Sequence, residues 1–94
     1  MAAYVIGEVE ITKPDVIKRY GSMVAAAVDK YGGRYLARGS VPQVLEGGPA
    51  HRMLVIEFET MEQARRWYES PEYAEAKAVR QGASNLRLVL IEGK

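Results

Sequence analysis

A chain of 94 residues, 48% of them hydrophobic, has the length and apolar content of one domain with its own core, spanning residues 1–94. Its 13 Lys and Arg against 12 Asp and Glu leave a formal net charge of +1, too balanced to single out nucleic acid or an anionic membrane as a partner. The absence of cysteine excludes disulfides, thiolate nucleophiles and thiolate metal sites; with no leader-type start and no apolar run near the roughly 18 residues of a membrane span, the expected location is the cytoplasm.

Residues Ala3 to Ile11 alternate, with Val5, Gly7, Val9 and Ile11 on one side and Tyr4, Ile6, Glu8 and Glu10 on the other, which predicts a first strand. Thr12 offers a helix cap, Pro14 suits a first turn and Asp15 suits the positive helix end. Ile17, Tyr20, Val24, Ala27, Val28 and Tyr31 then form one apolar stripe that stops at Gly32-Gly33, where a left-handed cap is easy. A second strand is predicted over Tyr35 to Val41, with Tyr35, Ala37 and Gly39 opposite Leu36, Arg38 and Ser40; Pro42 argues for an edge position or a bulge. After the turn at Gly47-Gly48-Pro49, the run Arg52 to Glu59 places Leu54, Ile56 and Phe58 on one face of a third strand, hairpinned with the second.

Thr60 with Gln63 repeats the capping signature ahead of Met61, Ala64, Trp67 and Tyr68. Ser70-Pro71 stops that helix and starts a short third one carrying Tyr73 and Ala76. Leu86 to Ile91 reads as a buried final strand. Two β-α-β halves in so short a chain predict an α+β, ferredoxin-like βαββαβ fold, its antiparallel sheet ordered 4-1-3-2 with the helices on one face.

Val5, Val9, Ile11, Leu54, Ile56 and Phe58 are expected to meet the helices. The other face then carries Tyr4, Ile6, Leu36, Met53 and Val55 among Glu8, Arg38 and Glu57, too apolar to stay wet, so a second copy is expected to cover it. In the predicted order Glu8, Glu57 and Arg38 form a row across three strands, which reads either as a proton-handling or ligand site or as interface salt bridges. That open face is acidic and lacks the aromatics of an RNA-binding sheet, so nucleic acid is not an expected partner. His51, the single histidine, sits by a turn and without neighbouring ligands makes a poor metal or haem site; no metal or cofactor is expected. The helical aromatics, Tyr20, Tyr31, Trp67, Tyr68 and Tyr73, are read as core, some of them lining a pocket, and Arg80 as reaching toward Glu72 or a ligand anion.

The stretches Lys30-Tyr31-Gly32-Gly33-Arg34-Tyr35-Leu36-Ala37-Arg38-Gly39, Val55-Ile56-Glu57-Phe58, Trp67-Tyr68-Glu69-Ser70-Pro71-Glu72-Tyr73 and Leu88-Val89-Leu90-Ile91-Glu92-Gly93 resemble a bacterial family called domain of unknown function 1330. The resemblance implies membership of the dimeric α+β barrel superfamily, whose members pair sheet to sheet. It also implies a cavity between sheet and helices that binds a small organic molecule, with Tyr20, Arg38, Glu57 and Arg80 as lining candidates. Superfamily relatives include cofactor-independent oxygenases and muconolactone-type isomerases, but none of their catalytic residues maps onto this sequence. The alternatives are a structural dimer without catalysis and an enzyme of one of those kinds.

Overall fold

The computed structural model describes residues 2–94, and its elements follow the capping signals. They run in the order β1 (Ala3–Ile11), α1 (Pro14–Lys30), β2 (Arg34–Ser40), β3 (Arg52–Phe58), α2 (Met61–Tyr68), α3 (Pro71–Arg80) and β4 (Ser84–Glu92). Thr60 Oγ1 accepts from the Gln63 amide at 3.1 Å and opens α2. Ser70 Oγ accepts from the Tyr73 amide at 3.1 Å and donates to the Trp67 carbonyl at 2.6 Å, so one buried hydroxyl closes α2 and opens α3. The end of α1 is a Schellman turn: the Gly33 amide bonds Val28 O, the Gly32 amide bonds Asp29 O, and Gly32 sits at φ +80°. Thr12 does not cap α1, contrary to expectation. The N-cap is Lys13, whose side chain has no acceptor to offer; Thr12 stands one residue too early, in the turn where the Thr12 and Lys13 amides both bond Ala83 O and tie β1 to β4.

The sheet is antiparallel in the order β2-β3-β1-β4, the expected ferredoxin-like arrangement. It is open. β2 and β4 are both margins, and no ladder joins them, so the expected barrel is not formed: four twisted strands are too few to bring their outer edges together. The expectation of a buried last strand is corrected as well: Leu88 and Leu90 face the helices and are partly buried, whereas Val89 and Ile91, opposite Ile6 and Tyr4 on the uncovered face, are 38% and 47% exposed. The core lies between the sheet and the helices, where Val5, Ile56 and Phe58 meet Val24, Val28, Trp67 and Tyr73. Ile11, expected in that layer, is 37% exposed because the helices do not cover its end of the sheet.

The two long helices are held at one end by charge. Glu72, at the start of α3, accepts from Lys30 and, at 2.8 Å, from the Tyr31 hydroxyl at the end of α1. The Lys30 ammonium, the Glu72 backbone amide and the Tyr31 hydroxyl together hold this carboxyl down to about 2 from its ordinary 4.5. A carboxyl with a depressed folded-state pKa stabilises fully above its unfolded value, and the contribution fades as pH falls through the folded one. Glu72→Gln is therefore expected to lower the urea midpoint at pH 7 and to converge on the wild type between pH 4.5 and 2. A gap that stays constant across that window would show that the cluster does not tie α1 to α3.

Candidate functional site

Two bulges in β2 determine which side chains meet. Arg34 pairs with Glu57 and Tyr35 with Ile56, but the register slips between Tyr35 and Ala37 and again between Arg38 and Ser40. Each slip inserts a residue and turns the following side chains to the other face. The second slip contains Gly39 at φ +73°, the left-handed residue that such a bulge requires. Arg38 consequently lies opposite Leu54 on the helix side, together with Tyr35 opposite Ile56.

There the two side chains line a cavity of about 380 Å³ between the first half of α1 and the sheet. Its wall is mostly apolar, with Leu54, Leu88 and Ile17 prominent and the buried Trp67 behind them, and its polar groups are Tyr20, Tyr35, Arg38 and Arg52. That composition, apolar with a few convergent polar heads, is the usual one for a small-molecule site. The Tyr20 and Tyr73 hydroxyls lie 3.1 Å apart. Burial, and then that hydrogen bond, raise the Tyr20 phenol well above its ordinary value; burial raises Tyr35 as well, so both stay protonated donors at neutral pH. Arg38 Nη2 reaches across to Gly21 O on α1 at 3.3 Å, and its guanidinium carbon lies 4.9 Å from the Tyr35 ring centroid. Arg52 Nη1 donates to Gly39 O at 3.0 Å and holds the bulge. Gly21 lies inside α1, where glycine costs about 1 kcal/mol relative to alanine. It is part of the cavity wall, and a Cβ there would meet nothing within 4 Å.

The expected row of Glu8, Glu57 and Arg38 does not exist. Glu57 lies opposite Tyr4 and Arg34, whose Nε donates to it at 2.6 Å, whereas Glu8 lies opposite Met53 and Arg87 and accepts from the His51 amide at 3.0 Å. The two carboxylates are four strand positions, or about 13 Å, apart on the open face, and Arg38 is on the opposite side. Of the four cavity candidates, Tyr20 and Arg38 line it. Arg80 stands beside it, its guanidinium carbon 5.9 Å from the Tyr20 ring centroid, while Glu57 belongs to the other face. Glu72 is taken by Lys30 and Tyr31, so Arg80 does not reach it. Tyr35 and Arg52 are site residues that the sequence reading left out. Arg52 was available from its phase with Leu54, Ile56 and Phe58; Tyr35 was not, because a regular strand puts it opposite Arg38.

The family profile described as domain of unknown function (DUF1330) matches residues 2–94. The chain belongs to the DUF1330 family. No curated protein matches it. Among solved structures, this DUF1330 chain is similar to a protein of unknown function from Rhodopseudomonas palustris, at 17% identity and TM-score 0.80 over 99% of this chain and 82% of that one. It is similar to SnoaB, a cofactor-independent oxygenase from Streptomyces nogalater, at 11% identity and TM-score 0.71 over 99% and 93%. A dimeric ferredoxin-like protein of unknown function from Jannaschia sp. matches at 11% identity and TM-score 0.72 over 99% and 100%. At these identities the likeness establishes the shared fold. Among the described residues of this DUF1330 chain, no helix is long and apolar enough to cross a membrane, and no cluster of three His, Cys, Asp or Glu side chains could hold a metal ion.

Proposed function

We propose that this DUF1330 chain binds a small organic molecule in the cavity between α1 and the sheet, and that it does so as a homodimer paired through the open sheet face. The observation that carries the binding reading is the convergence of Tyr20, Tyr35 and Arg38, from α1 and a doubly bulged β2, on one apolar void. The glycine within α1 supports it, since Gly21 keeps the rim clear at a cost to the helix. No carboxylate or imidazole lines the cavity among the described residues, and its phenols are held neutral, so the lining offers donors and no base at pH 7. That chemistry favours binding over proton abstraction.

Pairing is supported by the row Ala37, Val55, Ile6 and Val89, which runs apolar across all four strands of the open face. The dimeric ferredoxin-like protein from Jannaschia sp. shares the fold and is described as paired.

Trp67 is the only tryptophan and lines the cavity, so its indole N–H gives a single NMR resonance at the site. Titration with 2-naphthamide is expected to shift that resonance saturably, together with Tyr20 and Tyr35. Gly21→Leu should narrow the rim and weaken the probe at least about fivefold while holding or raising Tm, because it removes a helix-interior glycine. Shifts that map elsewhere, or that Gly21→Leu leaves untouched, would refute the site.

A further inference from the structure

We infer that the cavity's ligand is an aromatic monocarboxylate, its ring held between α1 and the sheet and its carboxylate at the Arg38–Arg52 rim; this rests on reading the cavity as a binding site. Two guanidinium groups line the same void, and no acidic side chain does. Neither forms an ion pair among the described residues, although arginines elsewhere do, as Arg34 does with Glu57 and Arg66 with Glu62. Each shows a single hydrogen bond, to a backbone carbonyl: Arg38 to Gly21 O and Arg52 to Gly39 O. A guanidinium has five N–H donors, so most of both forks stay free for a ligand. Their planar geometry matches a carboxylate, whose charge-assisted bonds are about twice as strong as neutral ones.

The remaining wall sets the rest of the molecule. Tyr20 and Tyr35 present ring surface and Leu54 and Leu88 aliphatic surface, which suits a flat apolar body. A second anionic group on that body would be pressed against this apolar lining, away from the two guanidinium groups of the rim, which favours a ligand with one charge. Arg80 adds to the positive field: its guanidinium stands over Tyr20, and its buried Nε has no partner. A cationic ligand would meet three guanidinium groups with no compensating carboxylate, and a neutral one would leave the rim donors to water.

Calorimetry with three probes of one shape tests this: 2-naphthoate, 2-naphthamide and 2-naphthylmethylammonium, at pH 7 in low and moderate salt. The acid is expected to bind roughly tenfold or more tighter than the amide, the ammonium not measurably, and the acid alone to weaken with salt. Arg38→Gln and Arg52→Gln should each cost the acid roughly tenfold and the amide clearly less, so that the preference for the acid over the amide falls. Both side chains are exposed, but each also bonds a backbone carbonyl, so the comparison of probes on the wild type, which needs no variant, is the primary test. An amide that binds as well as the acid, or an acid indifferent to both substitutions, overturns the anion and leaves the cavity standing. If none of the three binds, the cavity reading falls with it.

Discussion

Val55→Asp is expected to convert a dimer into monomers. Val55 sits near the centre of the open face, between Ile6 on β1 and Ala37 on β2. Two copies pressed face to face would each bury the new carboxylate without a partner, at about 3–5 kcal/mol, which raises the dissociation constant by at least about a hundredfold. In the monomer the same carboxylate points to water, so the fold loses only the roughly 1 kcal/mol span of strand propensity. The outer layer is large enough for the purpose. Four strands about 4.8 Å apart and some 25 Å long give a flat area near 500 Å² before side-chain relief, most of the roughly 800 Å² of a standard partner surface. Sedimentation at about 10 μM checks it: the wild type should run as two copies and the variant as one. A wild type that runs as single copies, or a variant that stays paired, removes the dimer from the proposal. Because the cavity opens on the helix side of the sheet, the monomeric variant is expected to retain probe binding.

Trp67→Ala is expected to have the largest effect on stability. The indole is 1% exposed and packs among Phe58, Tyr73 and Tyr68, with ring centroids 5.6, 4.8 and 6.3 Å away. Removing it takes out the centre of that aromatic group and leaves a void that α2 cannot close without leaving its Thr60 and Ser70 caps, so the cost is about 3–5 kcal/mol. For a domain of this size the total is about 5–14 kcal/mol, and the variant would be marginal at 37 °C. Trp67→Phe separates packing from polarity. The indole Nε1 is buried without a hydrogen-bond partner, so the phenyl ring gives up volume but also removes an unsatisfied donor, and its cost should stay near 1–2 kcal/mol. Urea unfolding of both variants measures the difference; equal losses would mean that Nε1 has a partner in solution.

Local chemistry determined most of the fold. Thr60 and Ser70 start their helices because a hydroxyl three residues ahead of an amide satisfies it whatever the rest of the chain does. Gly32 ends α1 because a left-handed residue closes that turn, and the stripe of Val24, Ala27 and Val28 is buried because helical period and hydrophobicity agree. The strand order followed from the alternation of elements and the handedness of crossovers. Where tertiary contacts intervene, the same reasoning misplaces side chains. Thr12 is held in a turn to Ala83, a partner 71 positions away, and stands one residue ahead of the cap position.

The site depended on such contacts throughout. Alternation assigns faces only while a strand pairs one residue to one, and β2 breaks that count twice, so Arg38 and Tyr35, read as opposite, both face α1. Pro42 argued from the sequence for an edge position or a bulge, but where the strand would break register, and toward what Arg38 would turn, was decided by β3 and by the Gly21 carbonyl across the gap. Whether the sheet closes is likewise a property of four strands together, and its two free margins settle it. Sequence by itself determined where helices and strands lie, because caps and periodicity act within a few residues; which side chains share a cavity was left to tertiary structure, because register is set between strands distant in the chain.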